Sequence, residues 1–229
     1  MAGILEKPIK ELDKAARADA EDLFRTVHMN LGKINEHGKR ADSIVKNMLL
    51  HSREGPSEPQ TVNLNATLEE ALNLAYHGAR AEHPGFNIEM VKSLAPDLGE
   101  VECYPQDLMR VFLNLISNGM YAASKRSTRA GEDISPTISI TSRPDGDKIE
   151  IEVRDNGFGI APELRDKIFL PFFTTKPAGE GTGLGLSLSY DIVVKQHGGE
   201  LAVDSQSGVY TLFRVTLPRA LATNGESFQ

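Results

Sequence analysis

Apolar residues along 9–52 recur at alternating steps of three and four, which is the spacing of a helix with one apolar stripe. The stripe consists of Ala20, Leu23, Val27, Asn30, Ile34, His37, Ala41, Ile44 and Met48. So narrow a stripe needs a partner helix to cover it. Its two polar members, Asn30 and His37, favour a helical bundle over a dry two-stranded coiled coil.

A cluster of helix breakers at residues 54–60, with one glycine and two prolines, ends this pattern. We therefore divide the chain into a helical segment at 1–54, a linker at 55–60 and a folded domain at 61–219. The polar composition of residues 220–229 predicts a disordered tail.

The folded domain mixes both kinds of periodicity. Helix spacing covers 63–82, with Asn63 or Asn65 as its cap, and also 107–123 and 187–197. Alternating or β-branched runs predict strands at 87–91, 101–104, 137–142, 148–154, 200–204 and 210–217. The predicted fold class is α+β, a two-layer α/β sandwich in which helices cover one face of a mixed sheet, preceded by the long helix.

One strand runs directly into Asp155-Asn156-Gly157-Phe158-Gly159. A carboxylate at the end of a strand, followed by two glycines, lets a flat ring approach the backbone with no Cβ in the way. Asp155 is then placed to accept a hydrogen bond from the amino group of a purine. Taken alone, Asp-Asn-Gly is more typical of a hairpin turn.

A second glycine segment, Gly181-Thr182-Gly183-Leu184-Gly185-Leu186, precedes the helix at 187–197. Glycine amides and a helix N-terminus together attract anions, and Lys176 adds a positive charge. Residues 174–180 follow an aromatic anchor and have the composition of a hinged lid. A lone G-x-G-x-G is more often a surface loop, but combined with the upstream segment it indicates a nucleotide pocket under a lid.

These segments resemble conserved boxes of two-component sensor histidine kinases. Residues 155–160, 169–173 and 181–186 are similar to the G1, F and G2 boxes in order and spacing, and 114–123 is similar to the N box. The likeness covers about 31–218. It implies ATP and Mg²⁺ as cofactors, phosphoryl transfer to a histidine and then to an aspartate, and a response-regulator receiver domain as partner.

Asn114 and Asn118 lie one helical turn apart and face the same way. Amide oxygens are suitable Mg²⁺ ligands, although an isolated pair is more typical of a buried polar seam. The resemblance assigns Mg²⁺ to Asn118, with Asn114 beside it. Related ATPases of the gyrase, mismatch-repair and chaperone families have a glutamate at position 114, and an amide cannot act as that base, so phosphoryl transfer is favoured over rapid hydrolysis.

The resemblance implies that Asp155 recognises adenine, that Gly157 and Gly159 shape the pocket floor, and that the later glycines receive phosphates. The full set of expected ATP-binding residues is Asn114, Asn118, Tyr121, Asp155, Gly157, Gly159, Ile160, Phe172, Thr174, Thr175, Lys176, Gly181, Thr182, Gly183, Leu184, Gly185 and Leu186. No catalytic side chain is assigned.

The chain departs from the family in its phosphoacceptor. No histidine is followed by an acidic residue and then Asn-Pro or Thr-Pro. His28 and His37 remain candidates, but each lacks the adjacent carboxylate that would take its proton. Residues 34–53 resemble the second helix of the dimerisation hairpin, which implies a homodimer. The simplest account is that the phosphoacceptor helix is absent from this chain.

Net charge argues against one class of partner: at −7 over 229 residues, the chain lacks the excess of positive charge typical of nucleic-acid binders. No apolar run is long enough to span a membrane and the first residues lack a signal-peptide core, so we expect a cytoplasmic protein. Two alternatives stay open. One is an ATPase that acts as a conformational switch, and the other is a non-catalytic dimeric scaffold.

Overall fold

The computed structural model describes residues 19–34, 38, 58–129, 134–177 and 180–221. The chain forms two compact units. One contains the described residues up to 38 together with 175–177 and 180–182. The other contains 58–129, 134–174 and 183–221.

Residues 19–34 form helix α1, in agreement with the periodicity of that part of the chain. The large apolar side chains of the predicted stripe are exposed along it: Leu23 is 66% exposed, Val27 47% and Ile34 66%. The predicted continuation of the stripe, including His37, lies outside the described residues.

The larger unit alternates strands and helices. Its elements are β1 (Gln60–Asn63), α2 (Leu64–Glu82), β2 (Glu89–Leu94), β3 (Glu100–Cys103), α3 (Pro105–Arg129), β4 (Thr137–Asp145), β5 (Lys148–Asp155), a 3₁₀ turn (Pro162–Leu164), α4 (Gly185–Tyr190), a π-helical turn (Asp191–Gln196), β6 (Glu200–Gln206) and β7 (Tyr210–Pro218).

Five of the strands form one mixed sheet in the order β2-β4-β5-β7-β6. The β2–β4 pair is parallel and the other pairs are antiparallel, while β1 and β3 form a separate two-stranded sheet. Alternate residues of β4, β5 and β7 are buried, and their apolar side chains share one core with α2 and α3. The expected mixed sheet with helices against it is confirmed.

Two element boundaries differ from the sequence prediction. Residues 60–63, assigned partly to a linker, form β1, and Asn63 rather than Asn65 caps α2 by accepting from the backbone amides of Asn65 and Ala66 at 3.0 and 3.4 Å. The predicted helix at 187–197 begins at Gly185 and becomes π-helical from Asp191. Periodicity cannot detect this change, because it depends on local hydrogen bonding.

Helix α3 is longer than expected. It continues to Arg129, whereas the sequence predicted a helix that ends at residue 123. Lys125 lies over the Tyr121 ring, 5.4 Å from its centroid, and the Ser127 hydroxyl donates to the Ser124 carbonyl at 2.9 Å. Such contacts across three and four residues stabilise the added turn.

Candidate functional site

Asp155 is the last residue of β5, the central strand of the sheet, where it pairs with Ile138 on β4 and Thr211 on β7. The residue is only 4% exposed. Its Oδ1 accepts a hydrogen bond from the Gly157 amide at 2.8 Å. Burial raises the pKa of this carboxyl from 3.8 to about 7, against the opposing effects of the Gly157 hydrogen bond and the Arg154 charge. The group therefore titrates near neutral pH.

Two residues without side chains enclose this carboxyl. A Cβ on Gly157 would lie 2.7 Å from Asp155 Oδ1 and 2.6 Å from Ala122 Cβ. A Cβ on Gly119 would lie 2.6 Å from Ile138 Cδ1 and 3.4 Å from Asp155 Oδ2. Sequence reasoning selected Gly157 but missed Gly119. The available signal was a glycine in the middle of a helix, where glycine is unfavourable unless packing requires it.

The loop that follows Asp155 lies against the turn between β6 and β7. Gly159 has φ +65°, and a Cβ there would lie 2.1 Å from the Gln206 carbonyl oxygen. The amide of Gly208 donates to the Phe158 carbonyl at 2.6 Å, and the amide of Ile160 donates to Ser205 Oγ at 2.8 Å. The predicted residues Gly157, Gly159 and Ile160 are therefore brought together with Asp155.

Arg126 also contacts this loop, and sequence reasoning did not assign it to the site. Its Nη1 donates to the carbonyl oxygens of Asn156 at 2.9 Å, Gly157 at 3.3 Å and Val209 at 2.9 Å. The signal was absent from the local pattern, because Arg126 falls in a run of charged and small residues that is typical of a surface connector.

A chain of hydrogen bonds joins α3 to the start of α4. Asn118 Nδ2 donates to Asn114 Oδ1 at 3.1 Å, and Asn114 Nδ2 donates to Ser189 Oγ at 2.9 Å. Ser189 in turn donates to the Gly185 carbonyl at 3.0 Å. Because the Ser189 hydrogen is used in this last bond, its oxygen accepts from Asn114, which fixes the orientation of both amides.

Gly185 lies close to the side-chain amide of Asn114. A Cβ on Gly185 would lie 2.1 Å from Asn114 Oδ1, so no other residue fits without displacement of Asn114. Leu184, the residue before α4, has no side-chain hydrogen bond that caps the helix. The two predicted boxes at 114–118 and 183–186 are thus adjacent in the fold.

Phe172 precedes and Gly183 follows the predicted lid at 174–180. Phe172 is 54% exposed and has φ 66°, and Gly183 has φ +71°. A Cβ on Gly183 would lie 2.4 Å from the Phe172 carbonyl carbon. A bulky residue in the left-handed region is strained, and such strain concentrates at functional segments.

The remaining expected site residues fall into two groups. Tyr121 follows Asn118 on α3 by three residues, and Thr174, Leu184 and Leu186 are half-buried. A second group, Thr175, Lys176, Gly181 and Thr182, belongs to the unit that contains α1. Within that segment the Glu180 amide donates to the Pro177 carbonyl at 3.0 Å. The assignment of this second group to the site stays a prediction.

The two candidate phosphoacceptors differ in whether the structure describes them. His28 is exposed on α1, and His37 lies outside the described residues. In the described part of the chain, no group of three or more His, Cys, Asp or Glu side chains could hold a metal ion. None of the described helices is long and apolar enough to cross a membrane.

Comparison with known proteins bears on the whole larger unit. The family model described as histidine kinase-, DNA gyrase B- and HSP90-like ATPase matches residues 103–221. The solved catalytic domain of histidine kinase ThkA, in a nucleotide-free form, has 30% sequence identity and a TM-score of 0.59, and the match covers 71% of this chain and 97% of that domain.

Curated relatives extend the likeness over most of the chain. Sensor kinase CckA of Brucella abortus (strain 2308) is 33% identical over an alignment of 217 positions, which covers 88% of this chain and 22% of the relative. Sensory histidine kinase/phosphatase NtrB of Azospirillum brasilense is 31% identical over an alignment of 224 positions, which covers 93% of this chain and 53% of the relative. The chain thus spans between about a fifth and a half of the length of these relatives.

The matched family takes in both histidine kinases and ATPases of the gyrase and HSP90 type. One of the two relatives is named a sensor kinase and the other a sensory histidine kinase/phosphatase, and the ThkA domain is the catalytic domain of a histidine kinase. The matched residues contain Asn114, Asp155 and both glycine segments. This chain therefore belongs to the histidine kinase-, DNA gyrase B- and HSP90-like ATPase family, and its larger unit is an ATP-binding domain of the histidine kinase type.

Proposed function

We propose that the chain binds ATP with Mg²⁺ and transfers the γ-phosphoryl group to a histidine, from which it passes to an aspartate of a response-regulator receiver domain. The observation that carries this proposal is the amide of Asn114. It stands on α3 where hydrolytic relatives have a carboxylate, and both ends of the amide are used in hydrogen bonds to Asn118 and Ser189.

In this proposal Asp155 accepts a hydrogen bond from the exocyclic amino group of adenine. The carboxyl is buried at a strand end, and the absence of side chains at Gly119 and Gly157 brings two backbone segments against it. An amino donor favours the ionised carboxylate, which burial alone disfavours. The adenine amino group therefore supplies a hydrogen-bond donor to a carboxylate that is otherwise removed from water.

Asn118 is the proposed metal ligand. Its amide nitrogen donates to Asn114 Oδ1, so the ligand in this proposal is the amide oxygen, a hard neutral donor. Bound Mg²⁺ would neutralise charge on the phosphates during transfer. Gly183 and Gly185, with Leu184 and Leu186, would present backbone amides to the same phosphates at the start of α4. Gly181, followed by Thr182 in the same glycine segment, would also receive phosphates. Thr174, Thr175 and Lys176 would act from the lid, with Lys176 adding its positive charge.

Transfer is proposed over hydrolysis because an amide cannot accept the proton of an attacking water. A glutamate at position 114 would also lack the amide N–H that donates to Ser189 Oγ in this chain. With no base for water at this position, the γ-phosphoryl group persists until an imidazole reaches it. We also infer that the exposed apolar stripe of α1 pairs with a second copy, and that the acceptor histidine is presented by a helical hairpin.

The test is incubation of the full chain with Mg²⁺ and γ-labelled ATP, alone and with a separate helical hairpin fragment that carries a histidine phosphoacceptor sequence. We expect acid-labile label on the fragment and movement of that label to an added receiver domain. Asn118→Ala and Asp155→Asn should abolish labelling, whereas Arg80→Gln on α2 should not.

Three outcomes contradict the proposal in different ways. Steady-state phosphate release much faster than about one per minute, with no labelled protein, would indicate the ATPase switch. Failure of the chain to bind ATP would indicate a scaffold. Label on this chain alone would place the acceptor within it, and His28→Ala and His37→Ala would identify the residue.

A further inference from the structure

Arg126 holds three backbone carbonyls with a single nitrogen. Its Nη1 lies within 2.9 Å of the Asn156 and Val209 oxygens and within 3.3 Å of the Gly157 oxygen. A guanidinium Nη carries two hydrogens, so at least one of them is shared between two carbonyls. A planar, charged donor of this kind suits convergent carbonyl oxygens better than a flexible ammonium does.

Two of these carbonyls belong to the first residues after Asp155. The Asn156 carbonyl and the Gly157 amide are the two ends of one peptide group. The amide end donates to Asp155 Oδ1 at 2.8 Å, and the carbonyl end accepts from Arg126 at 2.9 Å. Because a peptide group is planar, Arg126 fixes the direction in which the Gly157 amide points at the carboxylate.

The third carbonyl belongs to the turn between β6 and β7, and this turn and the end of β6 make further hydrogen bonds to the same loop. The Gly208 amide donates to the Phe158 carbonyl at 2.6 Å, and Ser205 Oγ accepts from the Ile160 amide at 2.8 Å. Arg126 thus links the last turns of α3 to the turn between β6 and β7 and to the loop that carries Asp155.

We infer that Arg126 is a positioning residue that sets the purine selectivity of the site by holding the Asn156–Gly157 peptide against Asp155. This inference rests on the proposed function, in which Asp155 receives the amino group of adenine. Without the guanidinium, the peptide can rotate and Oδ1 loses its fixed donor. The carboxylate can then turn away from the amino group that distinguishes adenine from guanine at this edge.

The experiment measures equilibrium binding of ATP and of GTP, both with Mg²⁺, to the full chain. The variants are Arg126→Gln and Arg126→Lys, and Arg80→Gln is the control that removes one positive charge elsewhere. For Arg126→Gln we expect a fall of about tenfold in ATP affinity, with GTP affinity within about threefold of the parent. Arg126→Lys should give an intermediate ratio, and Arg80→Gln should leave the ratio unchanged.

A general loss of structure would not change the ratio of the two affinities, since both nucleotides share their ribose and phosphates. If ATP and GTP affinity fell by the same factor, the ratio of the two affinities would equal that of the parent, and this result would overturn the positioning role of Arg126. If Arg126→Gln fails to fold by circular dichroism, the ratio for Arg126→Lys decides the question. Failure of the parent itself to bind ATP would overturn the proposed function as well, so the two failures are distinguishable.

Discussion

The buried carboxyl of Asp155 makes the stability of the larger unit depend on pH. Burial raises its pKa from 3.8 to about 7, so the folded chain holds this proton over a pH range in which the unfolded chain has released it. The stabilising contribution of the protonated carboxyl is therefore fully present below pH 3.8 and is lost as the pH rises through about 7.

The size of the effect follows from the interval between the two pKa values. That interval, from 3.8 to about 7, spans about three pH units, and each unit corresponds to about 1.4 kcal/mol. Protonated Asp155 thus contributes about 4 kcal/mol at acid pH that is absent above neutrality. Asp155→Asn places a neutral side chain of the same shape at this position, and its contribution does not vary with pH.

The assay is urea unfolding of the parent and of Asp155→Asn over a series of pH values from about 5 to 8. The free energy of unfolding of the parent, minus that of the variant, should fall by about 1.4 kcal/mol per pH unit up to about pH 7 and then level off. Subtraction removes the titration of every other group. Parallel curves for the two proteins would refute the assignment of a raised pKa to this carboxyl.

Nucleotide binding provides a second measurement on the same residue. If adenine donates to the carboxylate, binding below pH 7 should expel the proton from Asp155. Calorimetry of the parent at about pH 6, in two buffers with different ionisation enthalpies, counts that proton, and the same measurement at about pH 8, where the carboxyl is already ionised, gives the count without it. Equal proton release at the two pH values would show that adenine does not act on this group.

The other predictions concern packing and buried hydrogen bonds. Gly185→Ala should weaken ATP binding by more than about tenfold and cost about 1–3 kcal/mol of stability, because its Cβ would lie 2.1 Å from Asn114 Oδ1; a parent-like affinity and melting temperature would contradict the packing argument. Gly78→Ala in α2 should raise the free energy of unfolding by about 0.5–1 kcal/mol, since nothing lies within 4 Å of the added Cβ. Gly119→Ala in α3 should lower it, because the added Cβ would meet Ile138. Urea unfolding of the two variants separates the effect of helix propensity from that of crowding. Burial lowers the pKa of His197, whose Nε2 accepts from the Tyr104 amide at 3.1 Å and whose Nδ1 lies 2.8 Å from the Ile192 carbonyl. The contribution of His197 to stability should therefore fall as the pH falls below 6.5, opposite in sign to the contribution of Asp155. This part of the pH dependence should vanish in His197→Ala, which should itself cost about 2 kcal/mol or more.

The parts of the fold and site that sequence predicted were those that leave a local signal. Alternation along 148–154 predicted β5, which the structure confirms. The glycines after Asp155 indicated backbone positions that need to be without a Cβ, and the approach of a flat ring to them stays a prediction. Gly159 shows why a glycine leaves such a signal. Its φ is +65°, and a Cβ added to it would lie 2.1 Å from the Gln206 carbonyl oxygen, so both the backbone conformation and the space exclude other residues. Such constraints act on the residue itself and so appear in the sequence.

What sequence did not predict depends on partners that are distant along the chain. Arg126 meets Val209 across 83 residues, and Asn114 meets Ser189 across 75. Neither pairing affects the periodicity of either segment. Gly119 stands between these cases, because its position in a helix was visible but the reason for it, contact with Ile138 and Asp155, was not.

One row of residues along α3 makes the contacts that join this helix to α4 and to the loop after Asp155. Residues 114, 118, 122 and 126 are spaced by four and so lie along one slowly rotating face. Asn114 contacts the start of α4, Asn118 contacts Asn114, Ala122 lies against the position of Gly157, and Arg126 holds the loop after Asp155. At a rise of 1.5 Å per residue, the row is about 18 Å long. A helix that ended at residue 123 would leave the loop after Asp155 without its charged donor, so the extra turns of α3 matter for the site and not only for the helix.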